Sequence, residues 1–467
     1  MTLGLIIITS CYVLLNLTVG LWKLRSSSYD DFVACPSSTN KYAIALSICG
    51  TVIGGGMFFT VAQMGYESGF AVLALPASYI VGYVLLSLAI PAIRNAMSSP
   101  NINTLYDIVT VRLPAGGGWA TGYKILLSLV TFGMYFFMLA AQFAIIANFY
   151  VAVLDLSQMG AWLLSLLVIG GTTLIYSVAG GIRKDIATDV FQVIIVFVGL
   201  IVLGLTMIFD PNLSFANVPP SHFTFTGYGA FFPIGVFLFF SPSFVGRYDY
   251  WQRIIAAKST KEARFALWLS LPLIIAAYVV CCFIGICARS MSSGIDSAHA
   301  AIWFMREALP GGLSLVVTLA FYAALMAASD TLLGVSAISL SSIAQTVLSR
   351  YRKSLRTVAS IRWITVLVGV GASATVLLAV DAVDLIIGGF SSLVILTPGL
   401  LFVLLNRTPS ALVACASLFL GYGSFLTVFL FAPPYRKYAF ILGFLIACVV
   451  VGVGQLASRI LSRQVKV

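Results

Sequence analysis

Charge is what this sequence has least of. Only 9% of its 467 residues are Asp, Glu, Lys or Arg, against roughly 25% in soluble domains. So few charges cannot cover a water-soluble fold, and 60% hydrophobic content excludes intrinsic disorder as well. Histidine is nearly missing: His222 and His299 have no partner at metal-ligand spacing. None of the eight cysteines forms a Cys-x-x-Cys pair, which argues against a zinc site or a disulfide framework. Also absent are G-x-S-x-G, H-E-x-x-H and G-x-x-x-x-G-K, the signatures of a nucleophile elbow, a zinc protease and a phosphate cradle. An enzyme is not expected, nor a bound cofactor.

What is there is a succession of apolar runs, each near the roughly 20 residues that span a bilayer as helix. Thirteen spans are predicted: Thr2–Trp22, Tyr42–Met64, Phe70–Ile93, Ile125–Leu154, Ala161–Val178, Ile186–Phe209, Phe231–Val245, Ala266–Ala288, Leu313–Val347, Ile364–Val380, Leu385–Leu405, Ala411–Phe431 and Tyr438–Ala457. The first is too long for a cleaved signal and reads as a retained helix. An all-α integral membrane protein follows, a single transmembrane unit with the lipid bilayer as its partner. The net charge of +11 does not point to nucleic acid, because the basic residues collect in alternate loops. Lys23, Arg25, Lys184, Arg247, Arg253, Lys258, Arg350, Arg356 and Arg407 fall on one side, whereas the other keeps Arg289, Arg306, Arg436 and Lys437. By the positive-inside rule the N-terminus is outside and the C-terminus cytoplasmic, in the cell membrane.

Two spans are interrupted. The second carries Gly50-Thr51-Val52-Ile53-Gly54-Gly55-Gly56, and the seventh carries Pro233, Gly235 and Ser241-Pro242-Ser243. Broken helices at matching places in two halves point to inverted repeats around a midplane site. Here residues 42–209 (helices two to six) and 231–405 (helices seven to eleven) form the five-helix repeats, with residues 1–22 ahead of them and two helices, 411–457, behind. Two acids lie within spans, Asp189 and Asp330, and intramembrane ionisable groups are functional candidates by default. Asp381 and Asp384 flank an outer turn and are expected to be solvated. Between Ser297 and Leu309, residues Ala301, Ile302, Met305 and Leu309 share one face, which predicts a helix lying along the membrane surface.

Three stretches carry a family resemblance. Tyr176-Ser177-Val178-Ala179-Gly180-Gly181, followed by Asp185, Ala187, Thr188-Asp189 and Gln192, resembles the signature of the sodium:solute symporter family. Gln252-Arg253-Ile254-Ile255-Ala256-Ala257-Lys258-Ser259 and Ala323 to Leu333 resemble two further motifs of that family, in order and at matching spacing. The resemblance implies the leucine-transporter-type inverted-repeat fold and cation-coupled uptake of a small polar solute. It also implies a sodium site built from the carbonyls of Gly50, Ile53 and Ala324, with hydroxyls from the ninth helix. At the hydroxyl positions this chain has Ala327-Ala328, which cannot coordinate a cation, leaving Ser329 as the neighbouring hydroxyl. Asp189 matches a family position that takes part in cation binding, as a sodium ligand or a proton carrier. The resemblance places the solute between the broken helices, at Met57 and Phe58 on one and Ser241, Ser243 and Phe244 on the other. A second reading, a transporter-like sensor that signals to a separate partner, fits the lost hydroxyl pair.

Overall fold

The computed structural model describes residues 2–21, 28–96, 102, 104–114, 118–210, 213–378, 382–405 and 409–464. Lys23, Arg25, Asp381 and Arg407 lie outside the described residues, as do the side chains of Asp384, Arg436 and Lys437. Within the described residues the chain is helical nearly throughout, and an isolated bridge between Thr39 and Ala257 is the one β-type pairing.

Helix α1 (Thr2–Leu21) rises about 30 Å, the depth of the hydrocarbon core. Its buried Asn16 accepts a hydrogen bond from Gln192 at 2.8 Å, which ties it to the bundle. Ser28 caps the short α2 (Tyr29–Val33), and Asn40 caps α3 (Lys41–Val52) by accepting from the N–H of Tyr42. Helix α3 stops where Ile53 leaves the helical region (φ −84°, ψ 65°), and α4 (Gly55–Ser68) starts after one further residue, Gly54. A turn at Gly69–Leu73 leads into α5 (Ala74–Ala96), so residues 55–95 form one apolar stretch of 41 residues. Next come α6 (Leu105–Arg112), α7 (Gly118–Leu154), α8 (Gln158–Ser165) and α9 (Gly171–Gly180). A π-helical turn at Leu166–Gly170 fuses the last two into one span. Gly181, at φ +58°, turns the chain into α10 (Ile182–Phe209). A Cβ at that position would strike the Phe32 carbonyl, so only glycine fits.

The second half opens with α11 (Phe231–Gly235), a π-helical turn at Val236–Phe240 and α12 (Ser241–Ser243). After a tight turn at Phe244–Gly246 the chain bends by 48° at Arg247 and continues as α13 (Tyr248–Ala256). This corrects the sequence reading twice. The break falls at Arg247 rather than at Ser241-Pro242-Ser243, and Arg247 and Arg253 are buried instead of belonging to a solvated loop. Hydropathy treats every charge as solvated, but each guanidinium here has a carboxylate partner, and a paired charge can be buried.

The chain continues with α14 (Thr260–Met291), α15 (Ala300–Glu307), α16 (Gly311–Val347), α17 (Arg352–Leu355), α18 (Val358–Ala374), α19 (Ala382–Leu405), α20 (Ala411–Phe431) and α21 (Ala439–Gln464). Ser259 caps α14 by accepting from the N–H of Glu262. Ala301, Ile302 and Met305 of α15 turn into the protein, and the helix packs against α4 and α14. An amphipathic pattern says that a face is covered without saying by what.

Among the described residues ten helices are long and apolar enough to cross a membrane, and the bent pair that ends in α13 makes up to eleven. Two shorter apolar helices, residues 6–21 within α1 and Lys41–Val52 (α3), fall on the first and second predicted spans without meeting that measure. Helix α3 has only 12 residues before the break, too few to cross alone. In the packed core α10 packs on α16, α16 on α7 and α7 on α19, while α3, α4 and α5 gather on α14. Gly65 and Gly285 let α4 and α14 meet backbone to backbone, since a Cβ on either would strike the other helix's main chain.

Candidate functional site

The break between α3 and α4 sits against α16. The N–H of Ile53 donates to Cys49 O at 2.7 Å, and those of Met57 and Phe58 donate to Gly54 O at 3.0 and 3.3 Å. A Cβ built on Gly54 would stand 2.7 Å from the Ala328 methyl, and one on Gly55 would strike Leu325. The amide of Gln142 on α7 reaches all three glycines, 3.3–3.4 Å from the positions their Cβ atoms would take. Gln142 is buried, and its Oε1 accepts no hydrogen bond among the described residues. The glycines therefore serve two ends: an unwound backbone, and close approach to it of α16 and of the Gln142 amide, whose Oε1 is unpaired among the described residues.

One turn below, Asp189 gathers four helices. Its Oδ2 accepts from Ser47 Oγ of α3 at 2.5 Å and from Arg253 Nη2 of α13 at 3.2 Å. Arg253 also donates to Ser47 Oγ (3.0 Å), to Thr331 Oγ1 of α16 (2.6 Å) and to Gln252 Oε1 (3.5 Å). Thr51 Oγ1 lies 3.4 Å from Thr331 Oγ1. The other carboxylate oxygen, Oδ1, is buried with no hydrogen-bond partner among the described residues. It sits 3.0 Å from where a Gly50 Cβ would project. The structure thus brings Gly50 and Asp189, both singled out in the sequence, into contact.

Asp330 on α16 is a different environment. Its Oδ2 accepts from Tyr176 at 3.1 Å and Thr188 at 3.4 Å, and its Oδ1 accepts from the Thr331 N–H at 2.7 Å. Asp185, one turn before Asp189 on the same face of α10, is a third buried acid, with Oδ1 unpaired among the described residues. The sequence names it only within the family signature and does not single it out. Its i, i+4 spacing to Asp189 was the available signal.

At the second break Arg247 forms a two-point ion pair with Asp249, at 3.2 Å from Nε to Oδ1 and 2.5 Å from Nη2 to Oδ2. Tyr135 of α7 donates its hydroxyl to Asp249 Oδ1, and the Asp249 N–H donates back to Tyr135 at 3.2 Å. The guanidinium lies over the Tyr250 ring at 4.6 Å. Of the predicted solute residues, Ser241 donates to Ser78 O at 3.1 Å and Ser243 to Phe240 O at 2.6 Å. Phe244 packs edge-on against Tyr79 at 4.5 Å. These three lie against α5 and α19, whereas Phe58 lies edge-on to Phe321 of α16 at 6.4 Å and Met57 is buried on α4.

Sodium is a hard cation that takes several oxygen ligands. The carbonyl break offers methyls where hydroxyls would complete the shell, and Ala328 packs straight into Gly54. Ser329 lies about 100° around the helix from Ala328, and its buried hydroxyl makes no described hydrogen bond. The donors at the break, as they stand, do not fit a complete sodium shell. Open carboxylate oxygens among the described residues are Asp189 Oδ1, beside Gly50, and Asp185 Oδ1 one turn away.

Comparison with known proteins bears out the resemblance read from the motifs. Residues 32–218 match the profile of the Sodium:solute symporter family, a stretch that contains the first of the three motifs. The fold is similar to that of a substrate-bound, outward-open Na+-coupled sialic acid symporter, with a TM-score of 0.76 at 16% identity over 96% of this chain and 97% of that one. A nucleobase–cation symporter-1 family transporter, closed with bromovinylhydantoin bound, gives 0.52 at 14% identity, covering 92% and 94%. A manganese transporter variant from Eremococcus coleocola gives 0.51 at 15%, covering 91% and 94%. At these identities the likeness is one of fold.

Proposed function

We propose that this chain is a secondary active transporter that couples movement of a small polar solute to a cation, sodium or proton, by alternating access. Its thirteen crossings are α1, α3 with α4, α5, α7, α8 with α9, α10, α11 through α13, α14, α16, α18, α19, α20 and α21. Residues 42–209 and 231–405 are the inverted repeats, the N-terminus is outside, and the end carrying Lys258 and Arg356 is cytoplasmic. The observation that carries this reading is Asp189. One of its oxygens is tied through Arg253 to the inner half of the second broken helix, and the other is open beside Gly50 of the first. A group held that way responds to an ion and to both moving helices. The solute sits between the breaks, at Met57 and Phe58 and at Ser241, Ser243 and Phe244, with Gln142 Oε1, unpaired among the described residues, as a further polar contact. If the carbonyls of Gly50, Ile53 and Ala324 with Ser329 bind sodium, they do so incompletely, so Asp189 carries the coupling.

The test is uptake of labelled amino acids, sugars and carboxylates into proteoliposomes under a sodium gradient, a proton gradient or neither. Gradient-driven accumulation of at least one solute, abolished by Asp189→Asn, is expected. No accumulation under any gradient refutes transport and leaves the sensor reading.

A further inference from the structure

The turn between α16 and α18 carries charge of one sign. From Thr331 to Val380 there is no acidic residue, whereas Arg350, Arg352, Lys353, Arg356 and Arg362 are basic. Two of these cations are engaged within the protein. Arg356 pairs with Asp30 at 2.7 Å and lies over the Tyr29 ring at 5.6 Å. Arg362 donates to Ala179 O, near the end of α9, at 3.0 Å. Arg350, Arg352 and Lys353 are exposed, with no acidic partner among the described residues.

The segment is ordered by its own bonds. Ser349–Tyr351 forms one tight turn and leads straight into α17. The Tyr351 N–H donates to Leu348 O at 2.8 Å, Ser354 Oγ to Tyr351 O at 2.9 Å, and the Arg356 N–H to Arg352 O at 3.0 Å. Leu348, Tyr351 and Leu355 recur three and four residues apart, which sets them on one side and Arg350 and Lys353 on the other. Leu348 and Tyr351 are nevertheless 49% and 58% exposed, and Val347 at the end of α16 is 59% exposed. On α18, Trp363 is 70% exposed. It stands about 8 Å by helix rise beyond Val358, the first residue of that helix.

Open apolar side chains flanked by basic ones, with a tryptophan a turn and a half deeper, make up a segment that lies at a membrane surface. Its three exposed cations lack a counter-charge. Phosphate supplies one, since guanidinium takes it in a two-point fork and ammonium as a point charge. We propose that residues 347–355 bind the headgroup of an anionic phospholipid, with Arg350, Arg352 and Lys353 on the phosphate and Leu348 and Tyr351 against the acyl chains. Arg356 is the fastening: its pair with Asp30 fixes the segment on the bundle and so sets the height at which the other three meet the surface. A lipid is chosen over soluble phosphate because a free anion would leave the apolar side uncovered.

The test needs neither solute nor gradient. Phosphatidylglycerol, phosphatidylcholine and inorganic phosphate are titrated onto the full chain in detergent, and bound lipid is counted by intact-protein mass spectrometry. Phosphatidylglycerol should be retained ahead of phosphatidylcholine. Each basic residue at an anionic surface adds roughly fivefold in affinity, so Arg350→Gln, Arg352→Gln and Lys353→Gln together should weaken phosphatidylglycerol by roughly a hundredfold. Lys258→Gln, Lys261→Gln and Arg264→Gln together, on the turn into α14, should leave its binding unchanged. Leu348→Ser with Tyr351→Ser should weaken it by a smaller factor. Thermal unfolding without lipid checks that each variant folds, and Arg350→Gln and Lys353→Gln, both at exposed positions, carry the test singly if the triple variant does not. Equal retention of the two lipids overturns the site. So does an equal loss in both triple variants, which would reduce the attraction to overall basic charge. Displacement of phosphatidylglycerol by inorganic phosphate overturns the lipid assignment in favour of a soluble anion.

Discussion

Breaking the Asp189–Arg253 pair should destabilise the protein strongly. At 3.2 Å, two unit charges attract by about 5 kcal/mol at an effective dielectric of about 20, before desolvation is subtracted. Both side chains are essentially fully buried, so removing one partner leaves a charge that water cannot reach, at a cost of about 3–5 kcal/mol. Asp189→Asn should fall at the low end, because the new amide still offers Ser47 an acceptor and Arg253 keeps Thr331 and Ser47. Arg253→Met should cost at least as much, since it strands the carboxylate with Ser47 as its one remaining donor. The double variant removes both charges and should lose less than the two singles added, with a coupling of about 2 kcal/mol or more. Unfolding in mixed micelles measures this, followed by the fluorescence of Trp251, which is buried two residues away and donates to Val245 O at 2.7 Å. Additive single and double variants would refute the reasoning and reduce the contact to crowding.

Other outcomes follow from the same geometry. Gly54→Ala should destabilise the protein by about 1–3 kcal/mol through overpacking against Ala328; Ala328→Gly should recover most of the loss, as thermal unfolding of the single and double variants will read. Replacing Lys258 or Lys353 by Cys should leave intact cells unlabelled by an impermeant thiol reagent from outside, and labelling of both from outside rejects the orientation. Tyr135→Phe strips a hydroxyl from Asp249 and should cost about 1.5–3 kcal/mol, the range for bonds to charged groups.

Much of the architecture is legible in the sequence because bilayer helices obey one strong rule: their backbones must satisfy themselves in long apolar runs. Among the described residues ten helices, or up to eleven with the bent pair, are long and apolar enough to cross a membrane and fall on predicted spans, and the glycines at 50–56 mark the first break directly. The second break was misplaced because proline and serine look like damage, yet Ser241 and Ser243 give their hydroxyls to nearby carbonyls and the helix runs on through Pro242. The real bend lies at Arg247, in a stretch whose charges disguise it as a loop. Charges three and four residues along a helix share a face, and neither Arg247 nor Arg253 is solvated. Asp249, two residues past Arg247, is a local partner, whereas Asp189, sixty-four residues before Arg253, is tertiary information. Gln142, alone among apolar neighbours from Leu139 to Ile146, was visible as an oddity, but its approach to three glycines was not.

The coupling ion is where residues and geometry press hardest on one another. A sodium ion at the first break would face the methyls of Ala327 and Ala328, and each missing oxygen leaves part of its dehydration uncompensated. Moving it onto Asp189 Oδ1 brings it beside Arg253, whose guanidinium already takes Oδ2 of the same carboxylate. Two cations sharing one buried anion repel, so a mobile ion is held there less tightly than by the carboxylate alone. A proton on Oδ1 meets the same repulsion but needs no shell of ligands, so the poor donor set penalises sodium more. The expected behaviour is therefore weak sodium dependence in the unaltered chain, with uptake that answers to a proton gradient at least as strongly. Ala327→Ser with Ala328→Ser should strengthen sodium dependence by restoring two oxygens, provided that the second hydroxyl finds room beside Gly54. Sodium titration of uptake in proteoliposomes, on both proteins at fixed pH, separates the possibilities. Steep, saturable dependence at sub-millimolar sodium in the unaltered chain would mean that the ion finds oxygens elsewhere, with the unpaired hydroxyl of Ser329 the first to replace.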